Sequence, residues 1–344
     1  MNTKIIATDG VTVPEAILSE AAGILKSGGL VVFPTETVYG LGGDGTNAEA
    51  AKKIYAAKGR PSDNPLIIHI ASPEEAEAFA TTNDTFYKLA KAFMPGPLTV
   101  ILPKKDTIPL SVTGGLPTVA IRCPSHPVAQ SLIRAAGIPI AAPSANLSGK
   151  PSPTCAAHVI DDLTGRVNMI IDGGSCEIGL ESTIVKLEGD DAILLRPGAI
   201  TADALRCVCR TVTVAPAVLE QLGADERPQS PGMKYRHYAP EVPLVLLDGK
   251  EEDILSFLQE ERNKRRCAVL CYSEEMPLIG GDDILDIGQA KDLETQAKNL
   301  FTALRTADKL DVEVIYAHLP SKDGIGLALY NRMIRAAAHT IRKV

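Results

Sequence analysis

Tryptophan is missing from this chain of 344 residues, and aromatic residues make up only 4% of it. That poverty argues against the ring-lined platforms on which sugars and unpaired bases stack. No uninterrupted apolar run reaches the ~20 residues needed to span a bilayer. The first ten residues likewise lack a basic segment leading into an apolar one. A cytoplasmic location is expected. No C-x-x-C pair occurs among the seven cysteines, and no histidine cluster stands near Cys207, Cys209, Cys267 or Cys271 at zinc spacing. They read as buried or incidental free thiols. The usual nucleotide signatures are absent too. There is no G-x-x-x-x-G-K-[ST], and the stretch GLGGDG at 40–45 fails G-x-G-x-x-G because Gly45 follows Gly42 too closely. No G-x-S-x-G elbow appears. Any nucleotide handled here is held by another device.

Basic charge is also in short supply. The net charge is −7; residues 1–230 carry 19 Lys and Arg against 24 Asp and Glu, and the remaining 114 carry 16 against 18. Neither part has the basic balance of a dedicated nucleic-acid binder. A local basic pocket for a small anion stays open, because it needs only a few cations.

What is present is an ordinary globular composition, 45% hydrophobic and 22% charged. The length suits two domains of ~100–200 residues each. Over the first part, apolar runs at 30–33, 66–70, 98–102, 119–122, 138–142 and 184–187 read as strands. Amphipathic stretches at 14–26, 47–57, 85–93, 127–135 and 153–163 read as helices, so the pattern is that of an α/β domain. Thr46 and Glu49 form a capping-box pattern at one helix start, and Gly59 is placed to end that helix. A Pro- and Gly-rich break, GADERPQSPGMKYRHYAPEVP, spans 223–243 and reads as a linker. Beyond it, strands at 244–247, 268–272 and 314–316 alternate with helices at 251–260, 289–307 and 322–342. A smaller Rossmann-like α/β domain over 244–344 is expected.

Four stretches set polar residues beside Pro and Gly at strand ends, where α/β sites are built. They are FPTETVYGLG at 33–42, KGRPSDNPL at 58–66 leading to His69, AAPSANLSG at 141–149 with PSPT at 151–154, and GLESTIV at 179–185 with LRPG at 195–198. Lys58 and Arg60 flank a helix-ending glycine, so one turn can aim both cations at a polyphosphate, arginine through its fork and lysine as a point charge. Taken alone, the pair also fits a solvated helix end. Ser144, Asn146 and Ser152 offer hydroxyl, amide and backbone N–H groups suited to phosphate or adenine, or to plain turn and cap chemistry, with Ser152-Pro153 placed to cap the next helix. Arg122 closes an apolar run and can fork onto a carboxylate or form a structural ion pair. His69, within an apolar strand, can be a ligand contact or a core histidine.

Together these stretches resemble the threonylcarbamoyl-AMP synthase family, whose YrdC-like fold carries a K-x-R basic pair and an S-x-N segment. SPGMKYRHYAP and the terminal GIGLALYNRMIRAAA resemble the linker and C-terminal domain of its two-domain subtype. The resemblance implies a twisted mixed-sheet domain over 1–222, a linker over 223–243 and the smaller domain after it. It implies ATP-dependent synthesis of L-threonylcarbamoyl-AMP from L-threonine, bicarbonate and ATP, with pyrophosphate released, as a first step of tRNA modification. Lys58 and Arg60 would be catalytic. Thr35, His69, Arg122, Ala142 and Ser182 would bind threonine. ATP would meet Lys58, Arg60, Thr118, Ser144, Asn146, Ser152, Arg196 and Tyr235. No paired carboxylates show a metal spacing, so Mg²⁺ would be held mainly by ATP and water. Downstream tRNA threonylcarbamoyl transferase proteins are the implied partners, no membrane is involved, and direct contact with tRNA is left open. Lys186 stands where family members often have an acid. The linker reads either as a lid over a hydrolysable intermediate or as a tether. The rival from another class is a tRNA or double-stranded RNA binding module without catalysis.

Overall fold

In the computed structural model, residues 2–220, 230 and 238–344 are described. Most of the 223–243 segment, Tyr235 included, lies outside the described residues. The chain forms two compact units. The first contains β1 (Lys4–Ala7), α1 (Glu15–Lys26), β2 (Val31–Phe33), β3 (Gly40–Asp44), α2 (Ala48–Lys58), β4 (Ile67–His69), α3 (Asp84–Phe93), β5 (Leu98–Pro103) and β6 (Thr118–Arg122). It continues with α4 (Pro127–Ala136), β7 (Ile140–Ala142), α5 (Ala156–Leu163), β8 (Met169–Asp172), β9 (Thr183–Glu188), β10 (Asp191–Arg196), α6 (Ala202–Arg206) and β11 (Thr211–Val214). Its eleven strands make one mixed sheet in the order β1-β8-β2-β3-β7-β4-β6-β5-β9-β10-β11. Hydrophobic side chains of α1 and α4 (Leu25, Val128 and Leu132 among them) pack on Val31, Phe33, Ile140, Ala142, Met169 and Ile171, which form one face of that sheet. α2 lies against the other face of β3, where a Cβ on Gly43 would touch Ile54 and Ala50.

Several elements depart from the sequence reading. Residues 40–45 look like a glycine loop, yet Gly40–Asp44 is a strand paired antiparallel with both β2 and β7. Its glycines are steric: a Cβ on Gly42 would stand 2.8 Å from Ile140 Cγ2 and 2.9 Å from Phe33 Cε1. The cap of α2 is Asn47, whose side chain accepts from the Glu49 and Ala50 amides, while the Thr46 hydroxyl turns back to Asp44. Gly59 does end that helix in the left-handed conformation, at φ 61°. α5 begins at Ala156 behind Cys155, so Ser152-Pro153 does not cap it.

The second unit holds β12 (Leu244–Asp248), α7 (Glu251–Lys264), β13 (Cys267–Cys271), α8 (Met276–Ile279), β14 (Ile284–Asp286), α9 (Leu293–Ala307), β15 (Val314–His318), α10 (Gly326–Ala336) and β16 (Ile341–Lys343). The strands are all parallel, in the order β14-β13-β15-β12-β16, as a Rossmann-like domain requires. Its core includes Leu247, Ile254, Leu258, Val269 and Tyr316. The last helix is shorter than the 322–342 expected, because Ala338 and His339 take positive φ and turn the chain into β16. Gly326 serves packing, since a Cβ there would run into Ser321. Segments Gly149–Pro151 and Ile178–Leu180 group with this unit, and Arg305 donates to the Pro151 carbonyl through Nε and Nη2.

Candidate active site

Strand register decides which side chains meet. β4 runs parallel to β6 with His69 opposite Arg122, and antiparallel to β7 with His69 opposite Ile140 and Ile67 opposite Ala142. β5 sets Thr99 opposite Arg122. Side chains alternate across a strand, so His69, Arg122, Thr99, Ala142 and Thr118 all belong to one face, the face that also carries Phe33. Gly40 and Gly42 leave room for Phe33 to lie over them, and its ring meets His69 edge-on at 6.0 Å. Thr118 opens β6 and lies about 13 Å along that strand from Arg122.

At the Arg122 end Thr35, Glu36, His69, Thr99, Arg122 and Ser182 are all buried. Arg122 Nη2 donates to Glu36 Oε1 at 2.7 Å, and the Ser125 amide donates to Glu36 Oε2 at 3.2 Å. Among the described residues, Arg122 Nε has no hydrogen-bond partner. His69 Nδ1 sits 3.1 Å from the Ile67 carbonyl, which can only accept, so that nitrogen carries the proton. Burial first, and the Arg122 charge second, push the His69 pKa down to about 3, so the ring is neutral at ordinary pH. Thr35 Oγ1 donates to the Val38 carbonyl and contacts Thr37 Oγ1, which fixes the loop after β2. Ser182 Oγ is 2.7 Å from Thr99 Oγ1 and accepts from Arg196 Nη2 at 3.0 Å, while Arg196 Nε donates to the Ser182 carbonyl.

The second group gathers at the C-terminal end of α2. Lys58 is buried, and its Nζ donates to the carbonyls of Ser144 and Asn146, both at 2.5 Å, and to Asn146 Oδ1 at 3.3 Å. Ser144 Oγ in turn donates to Asn146 Oδ1. Arg60 turns instead to the Asn64 and Pro65 carbonyls, bracing the entry into β4. Ser152 donates to the buried carboxylate of Glu181. The structure thus joins Lys58 with Ser144 and Asn146, and joins Ser182 with Arg196. It puts His69 and Arg122 side by side and sets Thr118 at the far end of Arg122's strand. Lys186 lies on the same sheet face two residues past Ile184, opposite Ile101, and pairs there with Glu188 rather than with a residue of this group.

Three residues of the site were not singled out from sequence: Glu36, Thr99 and Glu181. Glu36 had a signal, an acid set in a run that is otherwise apolar or neutral (FPTETVYGLG). Thr99 had none, because a lone hydroxyl in an apolar strand means nothing until its register is known. All seven cysteines are free. Burial raises the thiol pKa of Cys123 to about 11, keeping it protonated beside the Arg122 strand end.

Fold and site define a two-domain α/β protein whose mixed sheet presents buried cations, a neutral histidine and hydroxyls on one face, a donor set for small anionic ligands. The Sua5/YciO/YrdC family model, described as telomere recombination, matches residues 23–198, and a model described as threonylcarbamoyl-AMP synthase, C-terminal domain, matches residues 200–338. The threonylcarbamoyl-AMP synthase of Bacillus subtilis is 46% identical over 343 residues, covering 98% of each chain. That of Pyrococcus abyssi is 43% identical over 333 residues, covering 94% of this chain and 95% of its own. The crystal structure of P. abyssi Sua5 complexed with L-threonine matches with a TM-score of 0.90 at 40% identity and covers 100% of both chains. The chain belongs to the threonylcarbamoyl-AMP synthase family.

Proposed function

We propose that this chain condenses L-threonine, bicarbonate and ATP into L-threonylcarbamoyl-AMP, acting as a nucleotidyltransferase. The observation that carries this reading is the single sheet face on which His69, Arg122 and Thr99 meet, with Ser182 bonded to Thr99 and Arg196 bonded to Ser182, in a chain so similar to a relative solved with L-threonine. Threonine's amine and bicarbonate condense to a carbamate with loss of water. A carbamate oxygen then attacks the α-phosphorus of ATP, the bond to the α–β bridging oxygen breaks, and pyrophosphate leaves with that electron pair. Positioning and charge neutralisation do most of this work.

Arg122 takes the threonine carboxylate, with Thr35, His69, the Ala142 backbone and Ser182 completing the amino-acid end. Lys58, Arg60, Thr118, Ser144, Asn146, Ser152 and Arg196 serve the nucleotide. The ~13 Å between Arg122 and Thr118 along β6 suits two ligands set end to end. Among the described residues no three His, Cys, Asp or Glu side chains converge. The donors around Lys58 are amide and hydroxyl groups, which fit phosphate oxygens that bring their own Mg²⁺. The product is a mixed anhydride open to hydrolysis, so it passes in the cytoplasm to tRNA threonylcarbamoyl transferase proteins, which modify tRNA next to the anticodon. A non-catalytic tRNA or double-stranded RNA module is not favoured, given the relatives' names and the threonine complex.

Pyrophosphate release, with threonine and bicarbonate omitted in turn, tests the reading. Release should require both, and Lys58→Ala and Arg60→Ala should each cut it by about 100-fold or more. ATP turnover indifferent to threonine sinks the proposal.

A further inference from the structure

Glu36 has no assigned part in the chemistry above, yet it is 4% exposed and bonded at both oxygens. A carboxylate is withdrawn from water to that extent only when it is fully paired. One oxygen holds Arg122 Nη2 at 2.7 Å; the other is held by the Ser125 amide, three residues beyond Arg122. That second tether matters, because it fixes the carboxylate against the same loop that carries the arginine. The loop is itself braced, Gln130 Nε2 donating to the Pro124 carbonyl at 2.7 Å. Arg122 is therefore gripped by one corner of its fork. Its Nε, buried and without a hydrogen-bond partner among the described residues, stays available beside Nη2 on the side edge of the guanidinium. A buried N–H left unmade is costly, which marks that edge as the place for a ligand oxygen.

We infer that Glu36 is a positioning residue for the amino-acid end of the site: by holding Nη2 of Arg122 it presents the Nε edge of the guanidinium to the threonine carboxylate. This rests on the threonine reading proposed above. Arg122 has a counter-charge before substrate arrives, and the incoming carboxylate adds a second partner without displacing the first. Glutamine at 36 would keep the shape but lose the charge that orients the fork.

The test is calorimetric titration of L-threonine into the full chain, with steady-state pyrophosphate release alongside. Glu36→Gln should weaken threonine binding about tenfold and raise its KM correspondingly, as loss of a charge-assisted hydrogen bond does. Affinity for ATP should hold, and kcat at saturating threonine should fall much less than kcat/KM. Glu36→Asp should recover part of the affinity. Added to Arg122→Gln, Glu36→Gln should cost nothing further, since its effect runs through the arginine. A folded Glu36→Gln with wild-type threonine affinity overturns the inference, and so does a loss that adds in full to that of Arg122→Gln. Should Glu36→Gln not fold, Glu36→Asp decides: an intermediate affinity supports the positioning role and an unchanged one overturns it. Wild-type chain that binds no threonine at all would remove the underlying reading as well, a result distinct from either.

Discussion

Lys58 and His69 show how differently two polar residues can be hidden. Lys58 wraps its Nζ in carbonyl oxygens from Ser144 and Asn146, so it also holds together the loop that offers its own polar groups. His69 gives its charge up. Its folded pKa, about 3, lies below the ~6.5 of an unfolded histidine. As pH falls through 6.5 the unfolded chain takes up the proton first, so stability present above that value is lost progressively toward pH 3, at about 1.4 kcal/mol per unit. We expect wild-type protein to lose about 2 kcal/mol more than His69→Gln between pH 6.5 and 5, measured by urea denaturation at each pH. Parallel losses in both proteins would show that His69 does not carry this linkage. At this scale the sequence was informative for residue types at strand ends, such as Arg122 closing an apolar run. It was silent on pairing: Glu36 and Arg122 lie far apart in the chain, and only folding brings their side chains together.

Elements with continuous apolar composition, such as β5 and β6, were readable because burial on both sides demands such residues. β3 was not. Its glycines carry no strand propensity, and pairing on both edges overrides that weakness. β1 and β11 escaped for another reason: they are short edge strands with exposed positions, so their composition carries little signal. Two glycine substitutions separate steric from conformational demand. Gly42→Ala drives a carbon against Ile140 and Phe33 and should cost about 1–3 kcal/mol, as overpacking does. Gly59→Ala meets nothing within 4 Å but must hold a positive φ, at about 1 kcal/mol. Denaturation midpoints of the two variants check both. Because Gly59 sets the exit of α2 between Lys58 and Arg60, that variant should also weaken ATP more than threonine.

The two-domain organisation announced itself through a change of pattern along the chain, whereas the strand order did not. β1 pairs with β8 through Lys4 and Met169, a separation no local signal records. At this scale charge matters most. The whole chain carries a net −7, while Lys58, Arg60, Arg122 and Arg196 are all under 10% exposed. We expect fluorescently labelled tRNA to show no tight, salt-dependent association with the protein at 0.15 M salt, roughly physiological ionic strength. A steep salt slope in anisotropy titrations would instead restore the RNA-binding reading. Burying those cations withdraws positive charge from the surface. A polyanion at the surface meets a molecule of net negative charge. On the reading proposed above, a mononucleotide small enough to pass inside would meet the positive groups that the surface withholds, so size as well as charge would decide which anion is kept.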